Sequence, residues 1–492
     1  MKRILKYSST SVVVLMIVGS AFGQTDPGVR NGTIDAGFGL TSVSGSSPDP
    51  NKVAFFNNGF TRFETAKTVT GSSNNGLGPR FNLNACGQCH SQPANGGSSP
   101  SSSEFPFVGD NPESEVLSRG IAFSPNTIPY FVSASGPVLE ARFPYFFTNS
   151  GETSERDGGV HDLYTVQGNP DASSCTLAQP HFNTAASFND IVFRIPTPVF
   201  GAGYIENIGE DTLINFFNGE VGNPFGVSGT FNYNGNDRTI SRFGWKAQNK
   251  SMLLFSGEAF NVEMGITNEL FQNERPNPDE ENNFVGLPSG CLNLTGTGYP
   301  EDKTPINTSN SGTAASSDIT MFAIFMRLLE QPTARPSGYS TATTTVTAAS
   351  ISRGQTAFST VGCAACHAPS LTTDTSNLDS ELTHATAHLY SDLEIHHMGG
   401  LADNILQGMA MGDQFRTSPL WGVGQRIFFL HDGRASDLLT AIQDHCLAPV
   451  SGSGFPASEA CTAEANFAAL PATSGGGTTT SQQDVLNFLR SL

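Results

Sequence analysis

A mainly α-helical chain of two similar units, carried by long loops and short β insertions, is the fold class that the 492-residue sequence predicts. Three observations lead there. The pentapeptide Cys86-Gly87-Gln88-Cys89-His90 recurs in pattern as Cys363-Ala364-Ala365-Cys366-His367. Apolar residues at helical spacing flank the second copy. Gly, Ser, Asn and Thr are abundant and only 14% of residues are charged, which suits long ordered loops around a modest core.

C-x-x-C-H is the attachment signature of c-type haem. Each thiol adds across one vinyl group, and two spacer residues let both thiols meet the same porphyrin edge. The following histidine then lies under the iron as proximal ligand. With 8 cysteines and 10 histidines in the chain, chance gives well under one match. A zinc knuckle would need a second cysteine pair nearby, and these pairs are far apart. The motifs imply two cytochrome c-like units and two covalently bound haem c groups. Cys86, Cys89, His90, Cys363, Cys366 and His367 are the cofactor-binding residues, with His90 and His367 on the irons.

In chain order, residues 1–23 read as a secretory signal peptide: a basic start at Lys2 and Arg3, an apolar run from Val12 to Val18, and a small-x-small site ending at Gly23. The run is too short to span a bilayer, and no later segment is apolar enough to do so. A periplasmic or secreted location follows. Residues 24–336 form the N-terminal haem domain with insertions, 337–348 a linker, and 349–492 the C-terminal haem domain. Segment 91–103 reads as a loop, 104–240 as short strands and turns, and 276–317 as a polar loop insertion. Helices are expected over 318–331, with Asp318 as N-cap and Pro332 as stop, over 351–361, and over 483–492.

Four cysteines remain in what export makes an oxidising compartment. Locality favours Cys446 with Cys461 and Cys175 with Cys291. The net charge of −19 argues against a nucleic-acid partner and for a small basic electron-donor protein.

The chain resembles the bacterial di-haem cytochrome c peroxidase superfamily, and within it the branch of di-haem or thiol oxidoreductases. The residues that carry the resemblance run from about Phe55 to Leu492. They include Gly76-Leu77-Gly78-Pro79-Arg80-Phe81-Asn82, Pro198 to Glu206, Arg242-Phe243-Gly244-Trp245-Lys246-Ala247 and Glu263-Met264-Gly265. Further pieces are Tyr390-Ser391-Asp392-Leu393, His397-Met398-Gly399, Phe415 to Gly422 and Leu430-His431-Asp432-Gly433-Arg434-Ala435.

The resemblance implies catalytic roles for Trp245, as relay between the haems, and Glu263, as acid/base beside the N-terminal haem. The alternatives are core packing for Trp245 and a surface carboxylate for Glu263. Many relatives carry a distal glutamine where this chain has Phe255; an apolar face there would favour dioxygen or an apolar substrate over peroxide. Where the peroxidases place a methionine ligand for the second iron, counted from His431, this chain has His445. That suggests a third metal ligand and bis-histidine coordination, with a lower potential than a His/Met centre. Met398, Met409 and Met411 are rivals, and a helix-capping His445 is the plain alternative.

His431, Arg416 and Arg434 are candidate propionate partners. His396 and His397 are expected to be solvated loop histidines rather than a metal pair, and His161 and His181 are remote candidates for the first iron. Relatives often hold calcium between their units, but no contiguous acidic loop marks a site here. The function implied is an exported di-haem oxidoreductase, peroxidase-like, with a small oxidant such as peroxide as substrate. Electrons would pass from the C-terminal haem to a catalytic N-terminal haem. The alternatives are a di-haem enzyme of oxygenase or cofactor-oxidising type, or a non-enzymatic electron carrier.

Overall fold

The computed structural model describes residues 23–32, 48–69, 76–78, 80–101, 136–148, 151–156, 164–165, 182–273, 300–305, 311–377 and 379–492. The expected leader, apart from Gly23, and Cys175, Cys291, His161 and His181 lie outside them.

Helices carry most of the regular structure. Those used below are α1 (Pro50–Glu64), α2 (Cys86–Cys89), α3 (Ala202–Asn207), α4 (Met252–Met264), α5 (Asp318–Leu328), α6 (Ala348–Val361), α7 (Leu438–Asp444), α8 (Cys461–Ala468) and α9 (Gln482–Leu489). The named strands pair two by two, antiparallel, with no barrel among the described residues. Two of these pairs bear on the site: β1 (Glu140–Arg142) with β2 (Val192–Arg194), and β3 (Ile395–His397) with β4 (Gln414–Arg416). The expected mainly α class holds at this level.

One core packs α1 against α5. The Phe63 and Phe325 rings lie 5.0 Å apart, and Phe260 of α4 meets Phe322 edge-on at 5.2 Å. Gly59 allows the close approach, since a Cβ there would lie 2.6 Å from the Met321 carbonyl oxygen. Asp318 is the first helical residue of α5 rather than its N-cap, which is Ser317. Its carboxylate instead pairs with Arg62 and Lys67, so it ties α5 to α1 and the loop after it. The side chain of Asp302 caps α5, accepting from the backbone N–H of Asp318 and Ile319 at 2.7 and 3.0 Å. The helix stops at Leu328, where the chain turns extended ahead of Pro332, and not at Gln331.

A second core packs α6 against α9. At Gly354 a Cβ would lie 1.9 Å from the Asp484 carbonyl oxygen, so only glycine lets the two helices cross this closely. Asp484 accepts from Ser350 Oγ at 2.6 Å and Arg353 Nη2 at 2.8 Å, and completes a capping box with Ser481. The helix ends at Leu489, three residues short of the expected end.

Cys86 packs against the first core and Cys363 against the second. The division is not by sequence alone: Leu382, Leu389, Leu393 and Trp421, all beyond residue 349, belong to the first core. Residues 337–348, read as a linker, hold an antiparallel pair, Gly338–Ser340 with Thr345–Thr347, that buries Tyr339 and Val346 in the second core. Segment 104–240 has its short strands where described, but also α3 and a helix over Glu210–Glu220. Its polar residues hide a short apolar stripe at Leu213, Phe216 and Phe217.

Cys446 and Cys461 form the expected disulfide, with Cα atoms 4.7 Å apart, joining the residue after His445 to the start of α8. Between the two halves lies a buried ionic group. Asp403 accepts from Arg194 Nε at 3.1 Å and lies 3.0 Å from Lys246 Nζ, with all three side chains at most 2% exposed. Burial opposes the charge on Asp403, but the two cations outweigh it and hold the carboxyl far below its usual range.

Asp403→Asn leaves two buried cations without their counter-charge. It should cost roughly 3–5 kcal/mol in urea unfolding; a midpoint like that of the wild type would contradict the account. Replacing both Cys446 and Cys461 by serine removes a closure over 15 residues. A loss of about 3 kcal/mol is expected in the same assay under non-reducing conditions.

Candidate functional site

Two cavities, one beside each pentapeptide, share a wall. The first is lined by Cys89, His90, Arg142, Phe255 and Glu263; the second, of about 210 Å³, by Cys363, Cys366, His367 and His445. Trp245 lines both. Its indole is 7% exposed, and Nε1 donates to the Ile195 carbonyl at 2.8 Å. On the side of the second cavity His431 meets it edge-on, with centroids 6.4 Å apart, and stacks on Phe415 at 4.2 Å. Lys246, next in sequence, sits 4.1 Å over the Phe415 ring and is pinned below by Asp403. The backbone of Trp245 is held too, its carbonyl accepting from Arg416 N at 2.8 Å.

The three expected ligand histidines share one local arrangement. His90 Nδ1 faces the Gly97 carbonyl at 3.2 Å, His367 Nδ1 the Tyr390 carbonyl at 2.9 Å, and His445 Nδ1 the Ala441 carbonyl at 2.6 Å. A carbonyl partner fixes the proton on Nδ1 and leaves Nε2 as a free lone pair, the state a metal-binding imidazole needs. Burial reinforces it, lowering His90 and His367 to about 4 and His445 in the same direction, so all three are neutral at neutral pH. His445 does cap α7, through its backbone N–H and its Nδ1, which leaves Nε2 out of the cap, so the capping and ligand roles are compatible.

The two cavities differ in what faces the proximal histidine. The His367 and His445 rings have centroids 6.5 Å apart. Metal–nitrogen bonds of about 2 Å on each side, with roughly 1 Å from each nitrogen to its ring centre, sum to about 6 Å, so one iron fits between them. Met409 and Met411 are 55% and 50% exposed and line neither cavity; Met398 lines the second. In the first cavity no described lining residue besides His90 offers an imidazole or thioether.

Charged and polar side chains stand beside Glu263 in a wall that also holds Val138, Leu139 and Ile195. Glu140 and Arg142 of β1 and Arg194 of β2 line the same cavity, as does Gln248. Phe255 is in the wall, but alone it does not make the cavity apolar. Glu263 occupies the last turn of α4, which Gly265 closes in the left-handed conformation at φ 64°. The side chain is half-buried by its face to the cavity and otherwise enclosed. Burial first, then the nearby Glu140, pushes its carboxyl up to about 8, against the pull of Arg142. It is no surface carboxylate. Arg142 was not legible from sequence. It pairs with Glu140 through Nη2 at 2.9 Å while its Nε and Nη1 have no acceptor.

Other expectations change. His396 is buried and doubly held, by Asp392 and Glu459 at 3.0 Å each, and His397 Nδ1 is 2.7 Å from Asp413, so neither is a solvated loop histidine. Among the described residues one group could converge on a metal, Cys366 with Asp392 and His396. It draws on a pentapeptide thiol and is not the oxygen shell that calcium takes. Arg434 is paired with Asp432 on the surface and lines neither cavity. Arg416 lines the second cavity, with Nε and Nη1 spent on the Gly244 and Thr417 carbonyls at 3.0 and 3.3 Å.

Comparison with known proteins bears on the family. No curated protein matches. A solved hydrazine synthase of Kuenenia stuttgartiensis, pressurized with xenon, is similar at 18% identity over 37% of this chain, with a TM-score of 0.20. The match takes in 58% of that chain, and a likeness this weak carries no argument. Residues 158–467 match the model of the family described as "di-haem oxidoreductase, putative peroxidase". That span takes in Trp245, Glu263, the second pentapeptide and His445; the first pentapeptide precedes it. With well over half of its length matched, the chain belongs to the di-haem oxidoreductase family.

Proposed function

We propose that this chain is an exported di-haem c-type oxidoreductase with peroxidase-like activity. Electrons enter at the C-terminal site and are used at the N-terminal one. The observation that carries this reading is the asymmetry of the two cavities. His367 faces His445 across a gap that suits one iron, whereas His90 shares its cavity with Glu263 and, among the described residues, with no second imidazole or thioether. Haem, held covalently by Cys86 and Cys89 and by Cys363 and Cys366, would supply irons that pass electrons and, where a coordination position is open, meet a small oxidant.

The chain's own residues supply the rest. His445 closes the second site, which suits electron storage rather than substrate. Trp245 stands between the sites with its N–H fixed on Ile195, an aromatic bridge that cannot rotate away. Glu263 takes a proton from the oxidant and returns it to the departing oxygen. Phe255 fills the remaining wall. Arg142 and Gln248, lining the same cavity as Glu263, offer hydrogen-bonding groups to a peroxide, which weighs against the oxygenase and cofactor-oxidising alternative that Phe255 suggested. Glu263 beside the first pentapeptide weighs against a purely electron-carrying role. The acidic composition suits a small basic donor protein, and the leader suits a periplasmic or secreted location.

Glu263→Gln should lower hydrogen peroxide turnover by roughly 100- to 10,000-fold with haem content unchanged. Because proton acceptance needs the ionised carboxylate, wild-type turnover should climb as pH rises through about 8, and the variant should lose that rise. Undiminished turnover in Glu263→Gln would defeat the peroxidase reading.

A further inference from the structure

Arg426 carries an interior guanidinium with no ion-pair partner among the described residues. It is 5% exposed and lines the second cavity, yet its Nε and Nη2 meet no acceptor. Only its backbone is engaged: the N–H donates to the Val423 carbonyl at 3.2 Å, and the carbonyl accepts from Arg490 Nη1 at 2.8 Å. The ring of Phe429 lies 6.0 Å from its Cζ. Other buried arginines keep unpaired nitrogens too, but their side chains have partners: Arg142 has Glu140. Arg194 has Asp403, Arg490 has Asp26, and Arg242 donates to the Ile208 carbonyl.

A charge withdrawn from water costs several kcal/mol unless an opposite charge or a set of acceptors replaces the water. Burial alone moves the ionisation of Arg426, down to about 10, with no carboxylate pulling it back. It therefore stays a cation at neutral pH. The missing acceptor must come from whatever occupies the cavity, and two vacant donors on one planar fork match the two oxygens of a carboxylate.

We propose that Arg426 is the socket for a propionate carboxylate of the haem in the second cavity. This rests on the reading that a haem is bound there. Of the candidates that sequence offered, Arg416 is otherwise engaged, Arg434 lies outside the cavity, and His431 is an uncharged ring stacked on Phe415. The socket does more than hold the group. A fixed positive charge beside the cofactor favours its reduced, more negative state and raises its potential, opposing the downward pull of two imidazoles.

The test uses the holoprotein. Haem content is counted first, then the midpoint potential of the bis-histidine haem is measured by spectroelectrochemistry and its propionate bending mode by resonance Raman. Arg426→Gln should lower that potential and shift the mode. Arg426→Lys should keep the potential near the wild-type value while still shifting the mode, because an ammonium holds the charge without the fork. Arg434→Gln should change neither. If two haems are bound and Arg426→Gln leaves both readouts where they were, the socket is refuted while the di-haem reading stands. If no haem is bound at the second pentapeptide, both fall. A wild-type potential that follows added acetate at fixed ionic strength would assign Arg426 to a diffusible anion and overturn the proposal.

Discussion

The position of one indole is the constraint on which the arrangement depends. Trp245 is held at its ring nitrogen by Ile195, at its carbonyl by Arg416, and through its neighbour Lys246 by Asp403. Those partners come from widely separated parts of the chain, so the wall between the cavities is a product of tertiary folding. Asp403 also grips Arg194, which sits on β2 beside the first cavity. A single buried carboxylate thus fixes both the strand that lines one site and the residue that follows the tryptophan. Buried ion pairs add little net stability against an apolar alternative, but they are costly to break, and that rigidity suits a partition that must not drift.

Difference between the cavities follows from what each core places opposite its pentapeptide. In the second, α7 ends at His445 and the disulfide to Cys461 anchors the chain immediately beyond it. In the first, Glu263 sits in the last turn of α4 and Gly265 turns the chain away. Two helix C-termini therefore do the selecting, one presenting an imidazole and the other a carboxyl with its proton retained by burial. The same histidine-to-carbonyl bond recurs at all three imidazoles, so the sites differ in their distal faces and not in how the proximal ring is prepared.

Much of this was legible where chemistry is local. The pentapeptides declare themselves, because vinyl attachment fixes the spacing. Cys446 and Cys461 are close in sequence, whereas His445 was legible only by counting from His431 as the resemblance directs. Trp245 and Glu263 were legible only through resemblance, since nothing near either in sequence predicts its burial. Arg142 and Arg426 left no signal at all; an unpaired donor is visible only once every neighbour is placed. The charged side of the first cavity was missed for the same reason, as Phe255 is near Glu263 in sequence while Glu140, Arg142 and Arg194 arrive from distant strands. His396 looked like a loop residue, but Asp392 lies four positions back and Glu459 comes from inside the loop that the disulfide closes. Residues 337–348 read as a linker because their threonines are polar, although β-branched residues also favour a paired strand.

The asymmetry of the two sites is the central claim, and an electron paramagnetic resonance spectrum of the fully ferric protein tests it most directly. The account predicts one low-spin signal of bis-histidine type, abolished in His445→Ala, together with one high-spin signal that this substitution leaves alone. Two low-spin signals in the mature protein, or a low-spin signal indifferent to His445, would contradict it.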